Sequence, residues 1–133
     1  MPLAAYEDLS SFKLYFSDTG LFNSRLQLTK QSLAAARQYM GALTENYVAI
    51  QLKANGYKLN YWTSTATAEV DFVIVQNGEV VPIECKANIH VKSKSLDSFV
   101  KRYDIKQSIR LSMRNFGFEN NIKSVPLYAA FCV

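Results

Sequence analysis

The sequence contains few of the side chains that bind soft metal ions or form covalent cross-links. Among its 133 residues there are one histidine, His90, and two cysteines, Cys85 and Cys132. Two cysteines are too few for a disulfide framework, and together with a single histidine they leave almost no ligands for a zinc site. Any metal ion would therefore have to be held by carboxylates.

Long apolar runs and targeting signals are also missing. No apolar run approaches the roughly 20 residues of a membrane-spanning helix, and the first residues lack the basic start and apolar stretch of a secretory signal. The sequence therefore predicts a cytoplasmic protein that has no membrane partner. It also contains no glycine-rich phosphate loop of the Walker type, so these residues do not include an ATPase module.

The chain has enough apolar residues for one compact domain, since 49% of it is hydrophobic and 20% is charged. Its net charge of +4 is unevenly distributed. Residues 1–85 carry six basic and eight acidic side chains, whereas residues 86–110 carry seven basic and two acidic ones. A basic segment of this kind suits a polyanionic partner. A solvated helix face is the commoner explanation, so charge alone does not decide between the two.

Residue patterns predict an α/β fold in which helices flank a mixed β-sheet. The pair Asn77-Gly78 suits a type I′ turn, because both residues must adopt positive φ, and it predicts an antiparallel hairpin. Helices are predicted over 32–55 and 95–107, and strands over 57–63, 69–76, 79–87, 108–114 and 125–132.

Charged residues interrupt both strands of the predicted hairpin. Asp71 is the one polar residue between 70 and 75, and in the next strand Glu84 and Lys86 stand two apart, which places them on one face. A two-residue turn pairs residue 76 with residue 79, and the same register predicts that Asp71 lies directly opposite Glu84. In the first helix, Glu45 interrupts an apolar stripe and could turn inward as a third acid.

Two carboxylates that face each other repel unless a cation or a proton intervenes. A divalent ion such as Mg²⁺ would relieve the repulsion, and Lys86 could then orient an attacking water molecule, as metal-assisted phosphodiester hydrolysis requires. Alternatively, Lys86 neutralises both acids in a buried ion network that has no chemistry. Spacing alone favours neither interpretation.

Together, Glu45, Val70-Asp71 and Glu84-Cys85-Lys86 resemble the PD-(D/E)xK nuclease superfamily, which has the restriction-endonuclease-like fold. The resemblance implies that Asp71, Glu84 and the main-chain carbonyl of Cys85 bind magnesium or manganese. It also implies that Lys86 is the catalytic lysine and Glu45 the accessory acid of a DNA-cleaving site.

A second resemblance covers nearly the whole chain. Residues 13–21, 41–46, 69–73 and 83–87 resemble the C-terminal domain that follows the ATPase in a large group of prokaryotic AAA-type ATPases. It implies that residues 1–30 are the end of a preceding winged-helix-like module and that residues 31–133 form the nuclease-like domain. An AAA-type ATPase module, in the same chain or a separate one, would be its partner.

If the domain acts on DNA, its basic segment is expected to contact the phosphate backbone. The residues assigned to this role are Lys92, Lys94, Lys101, Arg102 and Lys106. A competing hypothesis is a catalytically inactive nuclease-fold module that binds DNA or a partner protein for an ATPase.

Overall fold

The computed structural model describes residues 3–27, 29, 32, 37–64, 67–89 and 94–133. Its helices are α1 (Thr19–Arg25), α2 (Arg37–Ala54) and α3 (Lys94–Tyr103), with 3-10 helices at Leu3–Tyr6 and Leu127–Cys132. Its strands are β1 (Asn60–Thr63), β2 (Glu69–Gln76), β3 (Glu79–Cys85), β4 (Ser108–Ser112), β5 (Gly117–Glu119) and β6 (Ile122–Pro126). The predicted α/β fold is confirmed. Within the described part of the chain, no helix has both the length and the apolar character needed to cross a bilayer.

The six strands form one mixed sheet in the order β1-β2-β3-β4-β6-β5. β3 and β6 both run parallel to β4, and the other neighbours are antiparallel. The predicted β2–β3 turn is present, with Asn77 at φ 53° and Gly78 at φ 80°. β2 pairs with β3 from Gln76–Glu79 to Phe72–Ile83, in the predicted register.

A core lies on each face of the sheet. Side chains alternate between the faces along a regular strand, so the neighbours Val73 and Ile74 belong to different cores. On one face, α2 packs through Val48, Ala49 and Leu52 against Phe72, Ile74, Ile83, Ile109 and Leu111. On the other, α3 packs through Leu96 and Phe99 against Val70 and Val73.

Most predicted elements are present but shorter than their patterns indicated. β2 occupies the predicted range at both ends, whereas the helix predicted over 95–107 ends at Tyr103. Asp104 follows with φ 50°, a left-handed conformation that stops the helix. Residues 33–36 of the first predicted helix lie outside the described residues.

The strand predicted over 125–132 is wrong beyond Pro126. From Leu127 to Cys132 the chain forms a 3-10 helix, because proline has no N–H to continue the ladder. Ala129 and Ala130 of this helix join the core beneath α2. The pattern also missed the β5–β6 hairpin, which turns through two asparagines at positive φ, Asn120 and Asn121.

Candidate functional site

A β-bulge sets the direction of the Asp71 side chain. The pairing between β1 and β2 shifts by one residue between Val70 and Val73, and Asp71 and Phe72 are the two residues of the bulge. Val70 and Val73 both belong to the core beneath α3, whereas Phe72 belongs to the core beneath α2. The strict alternation of the strand is therefore broken at Asp71.

The carboxylate of Asp71 lies close to two glutamates, Glu45 and Glu69, instead of the single predicted partner, Glu84. Glu45 comes from α2 and Glu69 from the first position of β2, and one carboxylate oxygen from each of the three acids lies within 4.8 Å of the others. Residue patterns alone predict no role for Glu69. Its spacing of two from Asp71, which places side chains on one strand face, was the signal that could have indicated it.

Asp71 lies in an environment that disfavours its charged form. Burial raises the pKa of its carboxyl group to about 7, and the neighbouring charges of Glu84 and Glu45 act in the same direction. The hydrogen bond that Cys85 N–H donates to Asp71 Oδ2, at 2.7 Å, and the charge of Lys13 oppose the shift. Near neutral pH the Asp71 carboxyl group is therefore protonated for part of the time.

The N-terminal segment supplies two further residues that no sequence pattern predicted. Lys13 Nζ lies 2.6 Å from Glu45 Oε1 and also pairs with Glu69, while Tyr15 OH donates to the same Glu45 oxygen at 2.7 Å. Burial lowers the pKa of Lys13, but its bonds to the two glutamates raise the pKa above the ordinary value. Burial and Glu45 both raise the pKa of Tyr15, so its hydroxyl stays a donor.

Glu84 belongs to a second group of charges. It is 3% exposed, its Oε1 lies 2.5 Å from Lys86 Nζ, and its Oε2 is buried without a hydrogen-bond partner among the described residues. Arg110, its register partner on β4, has a buried Nε that is likewise unpaired in the described structure. Since Ile83 packs beneath α2, alternation places Glu84 toward the α3 side.

The predicted acids thus come together at one end of the hairpin, but not in the predicted pairing. The ladder ends at Phe72–Ile83, one step before the expected Asp71–Glu84 pair, because the bulge turns Asp71 toward α2. The two carboxylates still interact electrostatically, and Glu84 raises the pKa of Asp71. The catalytic and metal-binding roles assigned to Glu45, Asp71, Glu84 and Lys86 stay predictions.

The donor atoms at this end of the sheet suit a hard divalent cation. Carboxylate oxygens predominate, and Glu84 Oε2 is buried without a bond from any described residue. Burial raises the pKa of the Cys85 thiol, which keeps it neutral and unsuited to binding a soft metal. The backbone carbonyl of Cys85 is the group that the family resemblance assigned to the metal.

A cleft of about 960 Å³ opens beside the acids, between the N-terminal segment and β1. Lys13 and Tyr15 lie in its wall and both contact Glu45, so these two side chains lie between the cleft and Glu45. Further lining residues are Phe12, Tyr61, Trp62, Phe72 and Phe99.

The residues predicted to bind DNA lie elsewhere. Lys101 and Arg102 are exposed on α3, on the sheet face opposite α2, as is Lys94 at the first turn of α3. Lys106 follows α3 and pairs with Glu79 at 3.0 Å. Lys92 lies outside the described residues. Assignment of these side chains to DNA binding stays a prediction.

Comparison with known proteins identifies a family. Residues 40–130 match the DUF4143 family, which is described as a domain of unknown function. No curated protein and no solved structure matches the chain. The matched region contains Glu45, Glu69, Asp71 and Glu84, but not Lys13 or Tyr15. Because the match spans more than half of the sequence, the chain belongs to the DUF4143 family.

Proposed function

We propose that this protein is a divalent-metal-dependent nuclease-like domain that acts on DNA as the C-terminal part, or a separate partner, of an AAA-type ATPase. The observation that carries the proposal is the convergence of Glu45, Glu69 and Asp71 beside the end of β3, which bears Glu84 and is followed directly by Lys86. Three carboxylates this close are unfavourable without compensating positive charge. Metal-dependent phosphodiester hydrolysis uses such a group of oxygen ligands.

Each residue has a defined part in this proposal. Mg²⁺ or Mn²⁺ would bind at the end of the hairpin, where Cys85 N–H donates to Asp71 Oδ2. Asp71 and the Cys85 carbonyl would hold the ion, and Glu45 and Glu69 would bind it from the α2 side of the sheet. Glu84 would turn from Lys86 to reach the ion from the α3 side. The bound ion would supply Lewis-acid stabilisation of the charge that develops on the phosphate.

Lys86 would hold the attacking water or offset negative charge on the substrate. Its ammonium is paired with Glu84 and its side chain is one-third exposed. When Glu84 binds the metal ion instead, the Lys86 ammonium is free to contact the substrate. An ammonium placed near the reacting phosphate lowers the barrier by electrostatic stabilisation.

The family context supports the ATPase part of the proposal, because this domain is commonly found with AAA ATPases. The excess of basic residues between 86 and 110 supports DNA as the substrate class. A nuclease domain attached to an ATPase would act where the ATPase delivers or remodels DNA.

The second candidate function is a catalytically inactive module that binds DNA or a partner protein for an ATPase. One observation favours it: lysines already neutralise the acids, with Lys13 on Glu45 and Glu69 and Lys86 on Glu84. In that case the charges form structural ion pairs and no metal enters.

A cleavage panel separates the two functions. Linear, nicked, branched and single-stranded DNA are each incubated with the protein in Mg²⁺, in Mn²⁺ and in EDTA. The nuclease proposal predicts metal-dependent cleavage of at least one substrate, and cleavage that is absent in EDTA. Binding to DNA without cleavage of any substrate in either metal would favour the inactive module.

A further inference from the structure

We propose that residues 3–16 form a strap that closes the acidic cluster, defined as Glu45, Glu69 and Asp71, and that the Lys13 ammonium occupies the position of the divalent cation. Docking of the strap and binding of the metal would then exclude each other. The inference rests on the proposed function for the identity of the cation. It adds a means by which the N-terminal segment regulates the same site.

Lys13 takes the place that a metal ion would need. Its Nζ lies 2.6 Å from Glu45 Oε1 and pairs with Glu69 as well, and its side chain is 22% exposed. Mg²⁺ binds carboxylate oxygens at about 2.0–2.1 Å. An ammonium and a divalent cation on the same oxygen would repel strongly, because both are positive and largely shielded from water.

Tyr15 reinforces the same closure. Its hydroxyl donates to the oxygen of Glu45 that Lys13 contacts, at 2.7 Å, and its ring packs against Phe72 with centroids 5.7 Å apart. Two donors from the strap thus use one carboxylate oxygen of α2. A metal that needs this oxygen must displace both of them.

Polar contacts hold the strap in place more than apolar packing does. Phe16 N–H donates to Asn46 Oδ1 at 2.7 Å, and Asn46 Nδ2 donates back to Phe16 O at 3.2 Å. By contrast, Leu9, Phe12 and Leu14 are 89%, 74% and 85% exposed. Leu3 and Tyr15 are the strap residues that pack against the two cores. The apolar contribution to docking of the strap is therefore small, and competition for the carboxylates can decide its position.

Release of the strap would also open the way to substrate. The strap forms one wall of the cleft through Leu9, Phe12 and Lys13, and β1 forms another through Tyr61 and Trp62. Removing the strap from the cluster uncovers Glu45 and widens this cleft at the same time. Metal entry and substrate entry are thereby coupled to a single movement.

The test compares Mn²⁺ affinity and strap docking in the wild-type protein and in Lys13→Met, which keeps the side-chain length and removes the charge. Mn²⁺ binding is followed by the EPR signal of the free ion, and docking by chymotrypsin cleavage within the strap. Lys106→Met is the matched control, because it breaks an exposed lysine–glutamate pair away from the strap. Lys13→Gln is a second variant in case Lys13→Met folds poorly.

We expect both Lys13 variants to bind Mn²⁺ about tenfold or more tightly than wild type, since a site that is closed for nine-tenths of the time loses tenfold in apparent affinity. Lys106→Met should bind as wild type does. Saturating Mn²⁺ should accelerate strap cleavage in wild type, whereas the Lys13 variants should be cleaved rapidly with or without it.

Equal Mn²⁺ affinity in wild type and the Lys13 variants, with unchanged protection of the strap, would overturn the inference and leave the proposed function standing. Absence of Mn²⁺ binding in all proteins at millimolar metal would overturn both. Tighter binding by the Lys13 variants in a protein that cleaves no DNA would support the strap and count against the nuclease.

Discussion

Asp71, which is half-buried, and Glu84, which is buried, belong to the same hairpin, but their surroundings differ. Asp71 lies among other carboxylates, and burial raises its pKa to about 7. Glu84 has a cationic partner in Lys86. The sequence spacing predicted that the two acids repel each other and need the same compensation. In the structure their electrostatic environments differ, because Glu84 has a lysine partner and Asp71 lies mainly among other carboxylates.

The first prediction concerns the stability of Asp71→Asn without metal. The folded protein holds a proton on Asp71 up to about pH 7, whereas the unfolded chain releases it above the ordinary pKa near 3.8. Folding is therefore favoured by this group at low pH, and that contribution is lost as pH rises toward 7. Relative to Asp71→Asn, the wild-type unfolding free energy should fall by about 1.4 kcal/mol per pH unit at most over this window.

Urea unfolding at several pH values, run on both proteins in EDTA, measures this difference. At neutral pH Asp71→Asn should be as stable as wild type or more stable, because the amide carries no charge to bury. A wild-type protein that gains stability over Asp71→Asn as pH rises would show that a cation already stabilises the carboxylate.

The second prediction concerns Glu84, for which the opposite result is expected. Glu84→Gln should destabilise the protein, because it leaves the Lys86 ammonium without its partner. Loss of one partner from a buried pair costs about 3–5 kcal/mol, and the one-third exposure of Lys86 makes the expected cost smaller. The double variant Glu84→Gln/Lys86→Met should recover part of the loss, and denaturant midpoints of the three proteins provide the check.

Among the secondary-structure elements, sequence patterns correctly predicted those limits that depend on neighbouring residues in the chain. The range of β2 follows from its apolar run, and its turn into β3 follows from Asn77-Gly78. The stop of α2 was also predictable: Gly56 at φ 84° donates to Lys53 O, and Tyr57 N–H donates to Leu52 O, as in a Schellman motif.

The bulge at Asp71 could not be predicted in the same way. It arises from how β2 pairs with β1, and the sequence of β2 carries no mark of that register. The bulge nevertheless decides which acids meet, since it turns Asp71 toward Glu45 and Glu69. Sequence spacing therefore predicted acids that the structure does bring to one end of the hairpin, but it assigned Asp71 the wrong partner.

The third prediction tests α3 as a DNA-binding element. If Lys101 and Arg102 neutralise phosphates, the log–log salt dependence of affinity has a slope of about −0.9 per contact on duplex DNA. Lys101→Glu/Arg102→Glu should make the slope shallower without changing sequence preference. Titrations in Ca²⁺, which prevents cleavage, would measure it. Lys123→Glu on β6 serves as the control for a charge reversal outside α3.

Identical slopes in the double variant and in wild type would remove α3 from the DNA interface. This outcome has a structural rationale, because α3 lies on the sheet face opposite the helix that supplies Glu45. DNA would then have to approach from the cleft side, where Lys13, Lys53 and Lys58 are the lining lysines.

At the scale of the whole molecule, the candidate site depends on contacts between distant parts of the chain. Lys13 and Glu45 are 32 residues apart, and Asp71 and Cys85 are 14 apart. The two-residue turn made it possible to predict from the sequence that the strand acids lie close together. No local pattern predicts that the N-terminal segment contacts α2. Lys13 and Tyr15 could therefore not be predicted as site residues, although both lie in residues 13–21, one of the segments that resemble the ATPase-associated domain.

The division of the chain at residue 30 stays a prediction. The strap adds that residues on the two sides of this division contact each other. Lys13 and Tyr15 contact Glu45 of the following domain, so the N-terminal segment adjoins the candidate site even if it belongs to a preceding module. An ATPase that moved this segment would control access of metal and substrate together.

The rate of metal-dependent DNA cleavage by Asp71→Ala, Glu84→Ala and Lys86→Ala decides whether these residues form a catalytic site. It is measured at saturating Mn²⁺ on the best substrate of the cleavage panel. Glu79→Ala is the control, because Glu79 is an exposed acid at the far end of the same strand. Loss of one transition-state stabiliser costs roughly 2.7–4 kcal/mol, so each site variant should cleave about 10² times or more slowly, while Glu79→Ala keeps the wild-type rate. Undiminished cleavage by folded Glu84→Ala would contradict the site described here.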